Sequence, residues 1–280
     1  MNYFAILGLI LFIYMNFWFL LSLKLKRNDL ADQAWGLGFV LLAWSSFLIM
    51  IINNNQNPVF SSFLSSGQFF QSILVAILVS IWGVRLFIHI HLRYKRSKQE
   101  DSRYLKWRKE WGKIFVIRSY LQVFILQGFL LFLISLPILF LNKQPHQGFT
   151  GGTLIVLGTS AWLVGFLFQS ISDAQLTKFV KNPINRGKII QTGLWRYSRH
   201  PNYFGEVLMW WGIWIISVEP INKYLENPNN FITIIGPILI TFLILKISGI
   251  PLLEERMKQK TGFEEYKRKT SVFVPWFPKK

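Results

Sequence analysis

Cysteine is absent from the chain, which excludes disulfides, a thiolate nucleophile, a Cys-ligated zinc and an iron–sulfur cluster. Histidine is scarce: His89, His91, His146 and His200 are too scattered to suggest a multi-histidine centre, so no metal ligands are expected. Charge is thin, at 16% of residues, and acid is the scarcer sign, with 13 Asp and Glu against 31 Lys and Arg. No P-loop occurs, and no G-x-G-x-x-G follows a strand, so neither an NTPase nor a Rossmann domain is supported. Internal repeats, low-complexity tracts and long soluble insertions are also missing.

What is abundant is apolar. AVILMFWYC residues make up 52% of the 280 positions and the mean hydropathy is +0.34, far above an ordinary soluble domain. A membrane-spanning helix needs about 20 mostly apolar residues to cross roughly 30 Å of hydrocarbon. Stretches near 3–23, 33–52, 69–91, 114–141, 152–172, 203–219 and 231–250 meet that need. The expected fold is therefore all-α and polytopic, with about seven transmembrane helices in a single membrane domain, 1–280, whose 92–280 portion is the expected cofactor-binding part and includes cytosolic loops and the tail. The first stretch reads as a retained helix rather than a signal peptide, because no Lys or Arg precedes it and Lys24, Lys26 and Arg27 follow it.

Segments 24–27, 92–113, 173–202 and 251–280 carry 26 of the 31 basic residues. Cytoplasmic loops hold such an excess, so the N-terminus is expected outside and the C-terminus in the cytoplasm, as for a bacterial inner membrane. Basic residues spread over every alternate loop do not make the single basic face that nucleic acid requires, and no nucleic-acid partner is expected. Anionic lipid or a phosphorylated cofactor fits the charge instead. Nothing here sets an oligomeric state.

The densest polar run is Gly193-Leu194-Trp195-Arg196-Tyr197-Ser198-Arg199-His200-Pro201-Asn202-Tyr203-Phe204-Gly205-Glu206, leading into the sixth helix. Pro201 suits a first helical turn, and unpaired N–H groups beside Arg196 and Arg199 make an anion site. Asn202 and Glu206 share a helix face. An ionisable group just inside a membrane helix is costly and is usually paired or functional; Arg85, Lys246 and Arg199 are the candidate partners of Glu206. Gln169 and Asp173, one turn apart, end the fifth helix at the same side. Trp82, Arg85 and His89 form a stripe on helix three, with Arg85 positioned to snorkel. Glu100-Asp101-Ser102-Arg103-Tyr104 and Arg108 read as a solvated charged loop. Gly262-Phe263-Glu264-Glu265-Tyr266 reads as an amphipathic helix, followed by the aromatic-proline segment Phe273-Val274-Pro275-Trp276-Phe277-Pro278 on the interface.

Asn202-Tyr203-Phe204-Gly205-Glu206, Asp173 and the closing Phe263-Glu264-Glu265-Tyr266…Val274-Pro275 resemble the C-terminal domain of the steroid 5-alpha-reductase superfamily. Asp32-Gln33-Ala34-Trp35-Gly36, Trp82-Gly83-Val84-Arg85-Leu86, Glu100-Asp101-Ser102-Arg103-Tyr104 and Ser248-Gly249-Ile250-Pro251-Leu252-Leu253-Glu254 are similar to patterns in its bacterial branch, so the resemblance covers nearly the whole chain. It implies an NADPH-dependent membrane enzyme that reduces a polarised carbon–carbon double bond in a lipophilic steroid, sterol or polyprenoid. It also implies that Asn202, Glu206 and Asp173 hold the dinucleotide, with Tyr203 and Gln169 lining its cavity. Position and charge add Arg196, Arg199 and His200. Glu206, Tyr104 and Tyr197 are candidate proton donors or orienters, unranked. One departure stands out: the segment where steroid reductases carry His and Tyr holds Glu254, Glu255 and Gln259. Arg199-His200-Pro201-Asn202-Tyr203 with Glu254-Glu255 also resembles membrane methyltransferases that use S-adenosylmethionine on isoprenylcysteine or phospholipids, which is the alternative reading.

Overall fold

The computed structural model describes residues 2–55, 64, 66–97, 99–143, 152–218 and 228–279. His146, Lys223 and the end of the expected sixth span at 219 lie outside them. The described residues are helical with no strand and gather into two compact units, Met1–Thr150 with Ser217–Thr233, and Gly151–Ile216 with Ile234–Lys280.

In the first unit, α1 (Tyr3–Leu25) starts where the Asn2 side chain accepts the Phe4 N–H and stops where Lys26 turns left-handed. Leu7, Leu11, Met15, Trp18 and Ser22 form its buried stripe. Phe12, Ile13, Phe17 and Leu20 are exposed on other faces, so the helix is apolar all round, the pattern of a lipid-facing span. α2 (Leu30–Asn55) and α3 (Gly67–Arg96) meet backbone to backbone: a Cβ on Gly36 would lie 2.6 Å from the Gly83 carbonyl oxygen. α4 (Ser102–Ile134) contains a break at Gly112 with φ +50° and a π-helical stretch over Ser119–Ile125. Short α5 (Leu136–Lys143) follows, with Pro137 in its first turn, where a missing N–H costs nothing. The single span expected over 114–141 is thus two helices. The expected loop 92–113 instead contains two charged helix ends, the last turn of α3 with Arg93, Lys95 and Arg96 and the start of α4 at Ser102.

The second unit holds α6 (Gly152–Lys181), α7 (Pro201–Ser217), α8 (Ile235–Phe242, continuing as a π-turn through Ile247), α9 (Ile250–Met257) and α10 (Phe263–Lys269). The fifth span does not end at Asp173 as expected. It runs two turns further, to Lys178 and Lys181, whose charges suit a helix C-terminus.

Among the described residues, six helical stretches are long and apolar enough to cross a membrane: Tyr3–Leu25, Leu30–Asn55, Gly67–Arg96, Ser102–Ile134, Gly152–Lys181 and Phe231–Met257. The remaining expected span is α7, whose 17 residues rise only about 26 Å. The fold is all-helical and polytopic.

α6 and α7 approach as closely as helices can. A Cβ on Gly165 would sit 2.5 Å from the Gly205 oxygen, and one on Gly158 would sit 2.7 Å from the Gly212 oxygen. Gly205→Ala should therefore force the helices apart and cost about 1–3 kcal/mol, read as a lowered unfolding temperature in detergent. Gly8→Ala, with nothing within 4 Å, is the control and should change little. Equal effects at both positions would contradict the close packing.

Candidate functional site

The glycine contact brings two short polar rows of α6 and α7 within reach. Gln169 Nε2 donates to Glu206 Oε2 at 3.2 Å, and Asn202 Nδ2 donates to Asp173 Oδ1 at 3.2 Å. Gln169, Asp173 and Glu206 are buried, and Asn202 is half-buried. The two residue pairs expected from one-turn spacing on separate helices thus face each other, each amide on the opposite carboxylate. Of the partners expected for Glu206, Arg199 bonds elsewhere, and Gln169 takes a place that the sequence had not offered it.

The loop before α7 is folded against this quartet. Gly193, at φ +63°, lies so close to the Gln175 amide that a Cβ would overlap it. This lets the Leu194 N–H donate to Gln175 Oε1 at 3.0 Å. Trp195 is buried, and its indole N–H donates to the Ser172 carbonyl at 3.1 Å. Arg196 projects outward and is exposed. Tyr197 is half-buried with its ring on Phe277.

Arg199 and His200 are buried, and both converge on Glu254 of α9. Arg199 Nε lies 2.7 Å from Glu254 Oε1, and its Nη1 donates to the carbonyls of Lys267 and Thr270 at 3.0 and 2.7 Å. His200 Nε2 lies 3.2 Å from the same carboxylate oxygen, and the imidazole stacks on Tyr203. His200 Nδ1 is buried and has no partner among the described residues. The tail closes the loop from outside: the Tyr266 hydroxyl donates to the Trp195 carbonyl, Ser198 Oγ to the Phe273 carbonyl at 2.7 Å and the Arg199 N–H to the Ser271 carbonyl at 2.8 Å. Burial raises the Tyr266 phenol and keeps it a donor.

Arg199, expected beside Arg196 as a phosphate contact, thus spends two of its three nitrogens inside the protein. Glu254 and Tyr266 were not recognised from sequence as its anchor and lock. The available signal was an acid near the end of an apolar helix, which demands a partner.

The first unit contains a separate polar knot. Tyr104 is buried, and its hydroxyl donates to Asp32 Oδ1 at 2.8 Å, while Arg103 pairs with Asp32 Oδ2 at 2.7 Å. Glu100, also buried, accepts from Arg108 at 3.1 Å and from the Asn28 N–H. Arg27 forks onto Asp29 and reaches the carbonyls of Ser97 and Gln99. The segment expected to be a solvated loop is therefore a packed corner. Charged residues go inside here because each meets an opposite charge or a carbonyl. Gln33, from the same motif as Asp32, contacts His91 Nδ1 through its carbonyl at 2.9 Å. Among the described residues no group of three or more His, Cys, Asp or Glu is arranged to hold a metal.

A family model described as "Protein of unknown function (DUF1295)" matches residues 18–270. The chain belongs to the DUF1295 family. No curated protein and no solved structure matches it. The DUF1295 match takes in the quartet, the 193–200 loop, Glu254 and the first-unit knot, and it stops before the exposed aromatics of the tail.

Burial holds the His200 imidazole below its usual range, only partly offset by Glu254. As pH falls through about 6.5 the unfolded chain takes up this proton first, so the stability from the neutral ring is complete above that value and is lost below it. The unfolding temperature should fall as pH drops from 7 to below 6, and His200→Gln should flatten that slope. Identical slopes in both proteins would show that His200 ionises alike folded and unfolded.

Proposed function

We propose that this DUF1295 chain is an NADPH-dependent membrane reductase of a polarised carbon–carbon double bond in a lipid-like substrate, a steroid, sterol or polyprenoid, in a bacterial inner membrane. The observation that carries this reading is the pairing of Gln169 with Glu206 and of Asn202 with Asp173. These are the positions that the reductase resemblance assigns to the dinucleotide, and here they form one polar patch behind a basic loop.

The residues fit such a cofactor chemically. Asp173 and Glu206 are acceptors fixed in orientation by amides, and His200 Nδ1 is a buried acceptor without a partner. Ribose hydroxyls and a carboxamide are donors that match them. Arg196, exposed at the loop, supplies the cation for a phosphate. Arg199 acts at one remove: it holds Glu254, which holds His200 Nε2 and so leaves Nδ1 as the free acceptor. Tyr203 stacks on His200 and fixes the plane of the ring. When bound, NADPH supplies the hydride. The apolar helices that face lipid suit a substrate that arrives from the bilayer.

The methyltransferase alternative leans on carboxylates for a sulfonium cation. Glu254 Oε1 is already shared by Arg199 and His200, and Glu255 is exposed beside Lys258 at 2.6 Å. Their engagement favours the reductase reading.

Calorimetric titration of the solubilised chain with NADPH, NADH and S-adenosylmethionine tests it. NADPH should bind, and Arg196→Ala should remove a charge-assisted contact of roughly 1.5–3 kcal/mol, about a ten- to hundredfold loss of affinity. Asp173→Asn should also weaken binding. S-Adenosylmethionine binding without NADPH binding would overturn the reductase reading. NADPH binding indifferent to Arg196 would overturn the phosphate contact.

A further inference from the structure

The tail that locks the site loop carries a second surface. After α10 the chain turns back along the loop. Besides the bonds from Ser198 and Arg199, the Trp276 N–H donates to the Tyr197 carbonyl at 2.9 Å and the Lys279 N–H to the Lys269 carbonyl at 2.8 Å. The backbone is thus committed inward while three apolar side chains stay open: Val274, Trp276 and Phe277 are 54%, 71% and 76% exposed, Phe277 meeting the Tyr197 ring edge-on. Among the described residues no large apolar side chain is more exposed than Phe277, and besides it only Ile184 exceeds Trp276. Both aromatics lie outside any helix, so they are not part of a spanning face.

Charge identifies the occupant. From Lys267 to the end of the chain there are five basic residues and no acidic one. Lys267, Arg268 and Lys279 are exposed. Aromatic side chains at headgroup depth beside Lys and Arg are the signature of contact with an anionic bilayer surface. The tail also sits at a membrane boundary, since it is bonded to the loop between the C-terminal end of α6 and the first turn of α7.

We propose that Val272–Lys279 docks on anionic phospholipid headgroups of the bilayer that the chain spans, and that this docking holds the 195–199 loop in place. The tail is then a foot as well as a strap: pulling Trp276 and Phe277 from lipid loosens the backbone bonds to Tyr197, Ser198 and Arg199, and with them the loop that presents Arg196. This inference does not depend on which cofactor the site takes.

The absence of cysteine makes the test clean. The full chain with Val274→Cys is spin-labelled and placed in nanodiscs of phosphatidylcholine, with or without phosphatidylglycerol. Collision with oxygen, which partitions into lipid, is compared with collision with a water-soluble nickel chelate. Oxygen access should dominate and increase with phosphatidylglycerol. Trp276→Ser with Phe277→Ser should reverse the preference, and Lys267→Gln with Arg268→Gln should abolish the phosphatidylglycerol dependence. In the aromatic double variant, amide exchange across 195–199 should rise by about tenfold, the factor for one lost hydrogen bond, with exchange in α6 unchanged. A label equally water-accessible in every disc would overturn the docking. A label shielded from both reagents would mean that protein, not lipid, covers the tail. Unchanged exchange in the loop would overturn the coupling, and a rise that includes α6 would mean general unfolding and count against it as well.

Discussion

The contact on which the second unit depends is the meeting of bare backbone at Gly165 with Gly205 and at Gly158 with Gly212. In lipid, helices gain no hydrophobic energy by leaving water, because the tails around them are as apolar as their own side chains, and association rests on close packing and polar contacts. Two pairs of glycines about two helical turns apart allow that packing. Only at that separation do the short side chains of Asn202 and Asp173 reach across, and only then can Gln169 meet Glu206. The polar patch is a consequence of the steric one.

The same economy governs the charges. An isolated carboxylate or guanidinium in a low-dielectric interior costs several kcal/mol, and removing one partner of a buried pair is worse than never having built it. Arg199, Glu254 and His200 satisfy one another and the tail carbonyls. Arg103, Asp32 and Tyr104 do so in the first unit, as do Arg108, Glu100 and Asn28. Each knot joins segments far apart in sequence, so each acts as a cross-link in a chain that has no cysteine to make one. In the second unit the knot also fixes the tautomer and plane of His200 beside the quartet, which joins stability to the chemistry assigned to the site.

Much of this was legible in the residues. Long apolar stretches gave the spans because a helix must satisfy its own backbone in lipid. The i, i+4 spacing of Gln169 with Asp173 and of Asn202 with Glu206 announced two polar faces. Which face met which was not legible, because periodicity describes one helix at a time. The glycines that decide it look like ordinary small residues in an apolar run. Arg199 is a related case: beside Arg196 in sequence it reads as a second surface cation, and only the return of the tail, some 70 residues later, shows that its Nε and Nη1 are engaged inside the protein. Glu100–Tyr104 reads as solvated in sequence because its partners Asn28, Asp29 and Asp32 come from a different helical hairpin.

The central claim is that the α6–α7 polar patch and the loop before α7 form the cofactor site. Amide exchange of the full chain in nanodiscs, with and without saturating NADPH, tests it most directly. NADPH should slow exchange in peptides covering 169–175 and 193–206 while leaving α1 unchanged, and S-adenosylmethionine at the same occupancy should not reproduce that pattern. Saturating NADPH that leaves both peptides unprotected, or protects the first unit alone, would contradict the account.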